Sequence, residues 1–134
     1  MNADMTLTFV CAAILAALVF VLGANVTRLR AAGARRGGPF APSDPADPLY
    51  KAIRAHGNAI EYIPTLLVLF LADGARAPSW TLVFVVGATL ARLAHAAGML
   101  AAPTLARSTP LRVAGASGTY LFGLALAVTL VSTL

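Results

Sequence analysis

The chain is 134 residues long, with 59% of its positions apolar and 11% charged, and its mean hydropathy is +0.81. A soluble globule carries about 25% charged residues, so these values exclude an ordinary soluble domain and a disordered tail, and a single cysteine, Cys11, excludes a disulfide framework within the chain. Ten basic against five acidic residues give a formal charge of +5, which in so apolar a sequence reports membrane topology rather than a nucleic-acid surface.

Crossing a hydrocarbon core of roughly 30 Å takes about 20 helical residues at 1.5 Å each. Four segments meet that requirement and predict an all-α fold, an integral membrane four-helix bundle forming one domain over residues 1–134. The first span, residues 5–27, is uncharged. It follows Asp4 instead of a basic leader and runs too long for a secretion-signal core, so it is expected to be retained, with Cys11 filling space as a small hydrophobe. A loop is assigned to 28–48, where Gly33, Gly37, Gly38, Pro39, Pro42, Pro45 and Pro48 stop any helix.

The second span, 49–72, begins with a polar face. At about 100° per residue, Arg54, Asn58, Glu61, Tyr62 and Thr65 fall within an arc of about 100°, with Lys51 on the same side. Glu61 lies roughly 10 Å deeper along the axis than Arg54. An ionisable group at that depth is costly unless paired or wetted, which marks it as a functional-site candidate. Pro64, just beyond, removes a backbone donor and is expected to kink the span and free the carbonyl of Ile60.

Asp73, Gly74 and Pro78 mark the second turn, and Trp80 falls at the membrane interface. The third span, 79–102, is apolar except for Arg92 and His95. Counting residues along antiparallel helices brings Arg92 to the depth of Glu61, which predicts a buried Arg92–Glu61 pair, with His95 nearer the loop end. Such a pair serves either to fix helix register or, with the rest of the stripe, to line a pocket for a small ligand bearing several carboxylates and amides. Pro103 and Pro110 mark the third turn. The fourth span, 111–133, carries Gly115, Thr119, Gly123 and Ala127 four residues apart, a small-residue groove suited to close helix packing. Arg28, Arg30, Arg35, Arg36, Lys51, Arg54, Arg107 and Arg112 flank the first and third loops, whereas the second loop offers only Arg76. That bias makes loop 28–48 cytoplasmic and places both termini on the non-cytoplasmic side.

The run Arg54-Ala55-His56-Gly57-Asn58-Ala59-Ile60-Glu61-Tyr62-Ile63-Pro64 resembles the helix-two signature of the MAPEG family, the membrane-associated proteins in eicosanoid and glutathione metabolism. Arg28-Leu29-Arg30 and Ala91-Arg92-Leu93-Ala94-His95 support the likeness, which spans nearly the whole chain. The resemblance implies a homotrimer that binds glutathione at its cytosolic end between neighbouring subunits. Carried onto this sequence, it implies that Arg54, Asn58, Glu61 and Tyr62 contact glutathione, that Arg28 reaches one of its carboxylates, and that His95 occupies the helix-three ligand position beside Arg92. Met99 departs from the pattern, standing where several members have a tyrosine.

A glutathione thiol reacts as its thiolate, which a nearby cation favours. Arg112, just after Pro110 at the start of the fourth span, joins its own charge to the positive helix end and is the expected thiolate stabiliser, with Arg107 the second choice. The remaining loop arginines suit topology and contacts to anionic membrane lipids. His56 and His95 with Glu61 lack the spacing of a metal site, and no metal is expected. The implied activity is a glutathione transferase or peroxidase acting on a lipophilic electrophile or lipid hydroperoxide. Its rival is a non-catalytic lipid-binding or scaffold protein of the same fold, while a transporter is disfavoured because no inverted repeat is visible. Richness in Ala, Gly and Arg suggests a bacterial inner membrane.

Overall fold

A computed structural model describes residues 3–74 and 78–133, and in them the chain forms four long α-helices with no strand among the described residues. These are α1 (Ala3–Ala34), α2 (Pro48–Gly74), α3 (Leu82–Ala101), preceded by a single 3₁₀ turn at Ser79–Thr81, and α4 (Pro110–Ser132). Each is long and apolar enough to cross a membrane. Phe20, Val21, Val68, Leu121, Leu124, Val128 and Val131 are exposed along the bundle flanks, as a hydrocarbon solvent requires and water would penalise. Arg76 lies outside the described residues.

The first loop is shorter than the sequence suggests. α1 continues through Arg28 and Arg30 to Ala34, because Ala31, Ala32 and Ala34 are strong helix formers and the glycine among them costs only about 1 kcal/mol. Thirty-two residues span about 48 Å, so the last turns of α1 project beyond a core of roughly 30 Å. The helix ends where Gly37 takes a left-handed φ of 70° and the Gly38 N–H donates back to the Gly33 carbonyl at 3.0 Å, a close that favours glycine. At the other end of this loop the Asp47 carboxylate accepts from the N–H groups of Leu49 and Tyr50 at 2.7 and 3.3 Å. With Pro48 as first residue, α2 therefore starts with its free donors satisfied. It then runs unbroken through Pro64.

The most extensive pairings are α3 with α4 and α1 with α2. The core between them is built from Leu15, Leu22, Ala55, Ala59, Ile63, Phe70, Val85, Ala88 and Leu126, with Cys11 also buried. Lipid is as apolar as these side chains, so close approach has to supply the attraction between helices. The α3–α4 contact shows this best. A Cβ placed on Gly115 would lie 2.5 Å from the His95 nitrogen, so only a hydrogen fits. The small-residue row divides along its length: Gly115 and Thr119 are buried, Gly123 faces Leu66 of α2, and Ala127 is half-buried. Two buried threonine hydroxyls bond to their own helices, Thr89 to the Val85 carbonyl and Thr119 to the Gly115 carbonyl, both at 2.8 Å.

Two contacts tie the third loop to the first loop and to the start of α2 at one end of the bundle. The Leu105 N–H donates to the Pro45 carbonyl at 2.9 Å, and the Lys51 ammonium donates to the Ala102 carbonyl at 2.9 Å, just past the last turn of α3 where a cation is favoured. Gly115→Ala is expected to destabilise the protein by about 1–3 kcal/mol through overpacking. Gly57→Ala, which meets nothing within 4 Å, should not, and melting temperatures in detergent would distinguish the two.

Candidate functional site

The polar face of α2 forms as its spacing predicts. Arg54 and Glu61 are exposed, Asn58 and Tyr62 half-buried and Thr65 exposed. Lys51 leaves the row to bond with the end of α3. Neither Arg54 nor Glu61 has a hydrogen bond or ion pair within the described residues, so a cation and an anion stand about two helical turns apart on an open flank.

The partner of Arg92 differs from the expectation. Arg92 is buried, with 1% of its surface exposed, and its Nη2 donates to Asn58 Oδ1 at 2.7 Å and to the Asn58 carbonyl at 3.3 Å. Its guanidinium carbon lies 5.3 Å from the centre of the Tyr62 ring. No Glu61–Arg92 ion pair forms. Three residues separate Asn58 from Glu61, a rotation of about 60° around the helix. That rotation turns the carboxamide toward α3 and leaves the carboxylate outside. The cation is held by a neutral amide, a carbonyl and an aromatic face, which lower its desolvation cost but leave its charge uncompensated. Its Nε is buried with no partner.

A second group forms where α3 meets the start of α4. The His95 Nδ1 lies 2.9 Å from the Arg112 carbonyl. A carbonyl only accepts, so Nδ1 carries the proton and Nε2 is left as an acceptor. Arg112 follows Thr109 and Pro110 at the α4 N-terminus. Its Nη1 donates to the Arg107 carbonyl at 2.7 Å and to the Leu105 carbonyl at 3.4 Å, while its Nε is buried without a partner. The Arg107 side chain is exposed, and its carbonyl serves to hold Arg112. Arg28 is exposed on α1 and donates to Asn25 Oδ1 at 2.9 Å, with no hydrogen bond to either group. Met99 is buried, and His56 packs against Gly23 of α1, away from the polar face.

Sequence reasoning missed Tyr120. Its hydroxyl lies 3.1 Å from that of Tyr62, with the rings 5.8 Å apart. The signal was available, since a phenol in an otherwise apolar span needs a partner. The two tyrosines stand at one end of a groove of about 240 Å³ between α2 and α4, lined beyond them by Thr65, Leu66, Leu69, Gly123 and Leu124. α2 and α4 run in the same direction, and Arg54 and Arg112 each precede their tyrosine by eight residues. Both arginines therefore stand at the same level, about 12 Å along the axis from the tyrosine pair. The arrangement is graded: guanidinium groups at the loop end, amide and phenol donors midway, an apolar groove beyond.

The model of one protein family, the MAPEG family, matches residues 8–132. The chain belongs to the MAPEG family. No match was found among curated proteins. Membership and the four spanning helices make this MAPEG chain a multi-pass integral membrane protein, in a family that includes glutathione transferases and peroxidases.

Asn58→Leu leaves the Arg92 guanidinium buried with a single carbonyl, and is expected to cost about 1–3 kcal/mol, read as a lower melting temperature. Adding Arg92→Met removes the stranded charge and should restore most of that loss. Glu61→Gln, at an exposed and unpaired position, should leave the melting temperature where it was.

Proposed function

We propose that the protein is a glutathione-dependent membrane transferase or peroxidase acting on lipophilic electrophiles or lipid hydroperoxides. The observation that carries this reading is the open flank of α2, where Arg54 and Glu61 have no partner among the described residues while Asn58 and Tyr62 are already oriented by Arg92. Glutathione has two carboxylates, one ammonium, two amides and a thiol. Arg54, assisted by Arg28 of the same or a neighbouring subunit, suits a carboxylate. Glu61 suits the ammonium, Asn58 and Tyr62 suit the amides, and the Nε2 of His95 can accept an N–H. In a homotrimer the flank would be closed by an adjacent subunit, which excludes water and strengthens every one of these contacts.

Catalysis consists of stabilising the thiolate and positioning it. Arg112, held by two loop carbonyls at the positive end of α4, is the proposed stabiliser, and the groove below Tyr62 and Tyr120 suits the apolar body of the second substrate. In the transferase reaction the thiolate sulfur bonds to the electrophilic carbon and the leaving group departs with the bonding pair. In the peroxidase reaction the sulfur takes one peroxide oxygen, releasing an alcohol. A second glutathione then displaces water and forms the disulfide. Loops 35–47 and 102–109, with the adjoining helix ends, form the end of the bundle that carries Arg28, Arg30, Arg35, Arg36, Lys51, Arg54, Arg107 and Arg112, and this end would face the cytoplasm, where glutathione is abundant.

Millimolar glutathione should raise the melting temperature of the detergent-purified protein by mass action, and Arg54→Ala and Glu61→Gln should reduce that shift. With a generic electrophile, Arg112→Ala is expected to lower kcat by about 10²–10³, the scale of losing one preorganised charge-stabilising donor. Arg107→Ala should leave kcat nearly unchanged. The reverse ranking would move the role to Arg107. Absence of both a thermal shift and the ultraviolet absorbance of bound thiolate would count against the whole reading.

A further inference from the structure

At the end of the bundle away from the arginine-rich loops, Asp73 is buried with 1% of its surface exposed, and neither of its carboxylate oxygens has a hydrogen-bond partner among the described residues. It lines a cavity of about 20 Å³ together with Asp4 and Thr8 of α1, and with Pro78, Ser79 and Thr81 at the start of α3. That volume holds one water molecule or one monatomic ion. The hydroxyls around it have given their protons elsewhere. Thr8 Oγ1 donates to the Asp4 carbonyl at 3.0 Å, Thr81 Oγ1 to the Pro78 carbonyl at 2.8 Å, and Ser79 Oγ to the Asp4 carboxylate. Asp73 therefore faces a ring of lone pairs, with no lysine, arginine or histidine among the described lining residues. A single water offers two protons but cannot offset two carboxylates.

We propose that this cavity binds a hard divalent cation of the Ca²⁺ class, stapling α1, α2 and the 3₁₀ turn before α3. The donors are all oxygen, which disfavours zinc and copper and suits calcium. Two carboxylates match a double positive charge, whereas a sodium ion would leave one negative charge uncompensated. Magnesium demands near-octahedral geometry at about 2.0–2.1 Å, which ligands drawn from three separate elements satisfy less readily than the flexible shell of calcium. Water would complete that shell, and the half-exposed Asp4 leaves a route for it to enter.

The chain's only tryptophan, Trp80, sits between two lining residues and supplies a reporter. Purified full-length protein, stripped with a chelator, is titrated with Tb³⁺ under tryptophan excitation, then with Ca²⁺ as competitor. Saturable sensitised luminescence, displaced by Ca²⁺ and matched by a Ca²⁺-dependent rise in melting temperature, is the expected result. Asp73→Asn should weaken apparent affinity roughly tenfold or more, and Asp4→Asn should weaken it as well. Arg76→Ala, three residues further along the sequence, should retain the response, which distinguishes a bound cation from neutralisation by that arginine. If Asp73→Asn does not fold, the titration of the unaltered protein and of Asp4→Asn decides the matter. Luminescence absent in the unaltered protein, or unchanged in the aspartate variants, would overturn the proposal.

Discussion

A buried guanidinium in a membrane bundle has to be held by something, and the choice of partner organises this molecule. Arg92 reaches across from α3 to the Asn58 amide and carbonyl and lies against the Tyr62 ring. Because the partner is neutral, Glu61 stays free on the outside of α2. Had the carboxylate been drawn inward, the flank would have lost its only anion and the pair would have served to fix register alone. The hydrogen bonds to Asn58 therefore do two things: they join α2 to α3 and they leave the acidic group available.

The same economy appears at the loop end. Lys51 and Arg112 are cations on the rim of the polar region, yet both donate to backbone carbonyls of the connection between α3 and α4. The loop path thus fixes where the positive charge sits. His95 joins this arrangement through the Arg112 carbonyl, which sets its tautomer and leaves its Nε2 as an acceptor. A site built from backbone carbonyls and long cationic side chains depends on loop conformation as much as on residue identity.

Much of this was legible in the sequence because the relevant signals are periodic. The four spans follow from apolar length, and the polar row on α2 from its helical spacing. The depth of Arg92 followed from counting along antiparallel helices. Counting gives height but not rotation, and so it could not decide between Asn58 and Glu61, which differ by about 60° around the axis. The extension of α1 past Arg30 was hidden by a cluster of glycines and prolines whose effect begins only after Ala34. The anchoring of Arg112 was out of reach for a different reason. It depends on the path of residues 102–109, and no pattern in those residues encodes it.

The absence of a side chain at Gly115 carries a further meaning. Since that position rests against the main chain of His95, the imidazole is located by two backbones in contact, and neither can shift without prying α4 from α3. Substitutions on the surface of α2 and on the groove walls, by contrast, leave this contact untouched. Those parts can be rebuilt freely while the ring stays in register like a fixed jaw opposed by an adjustable one.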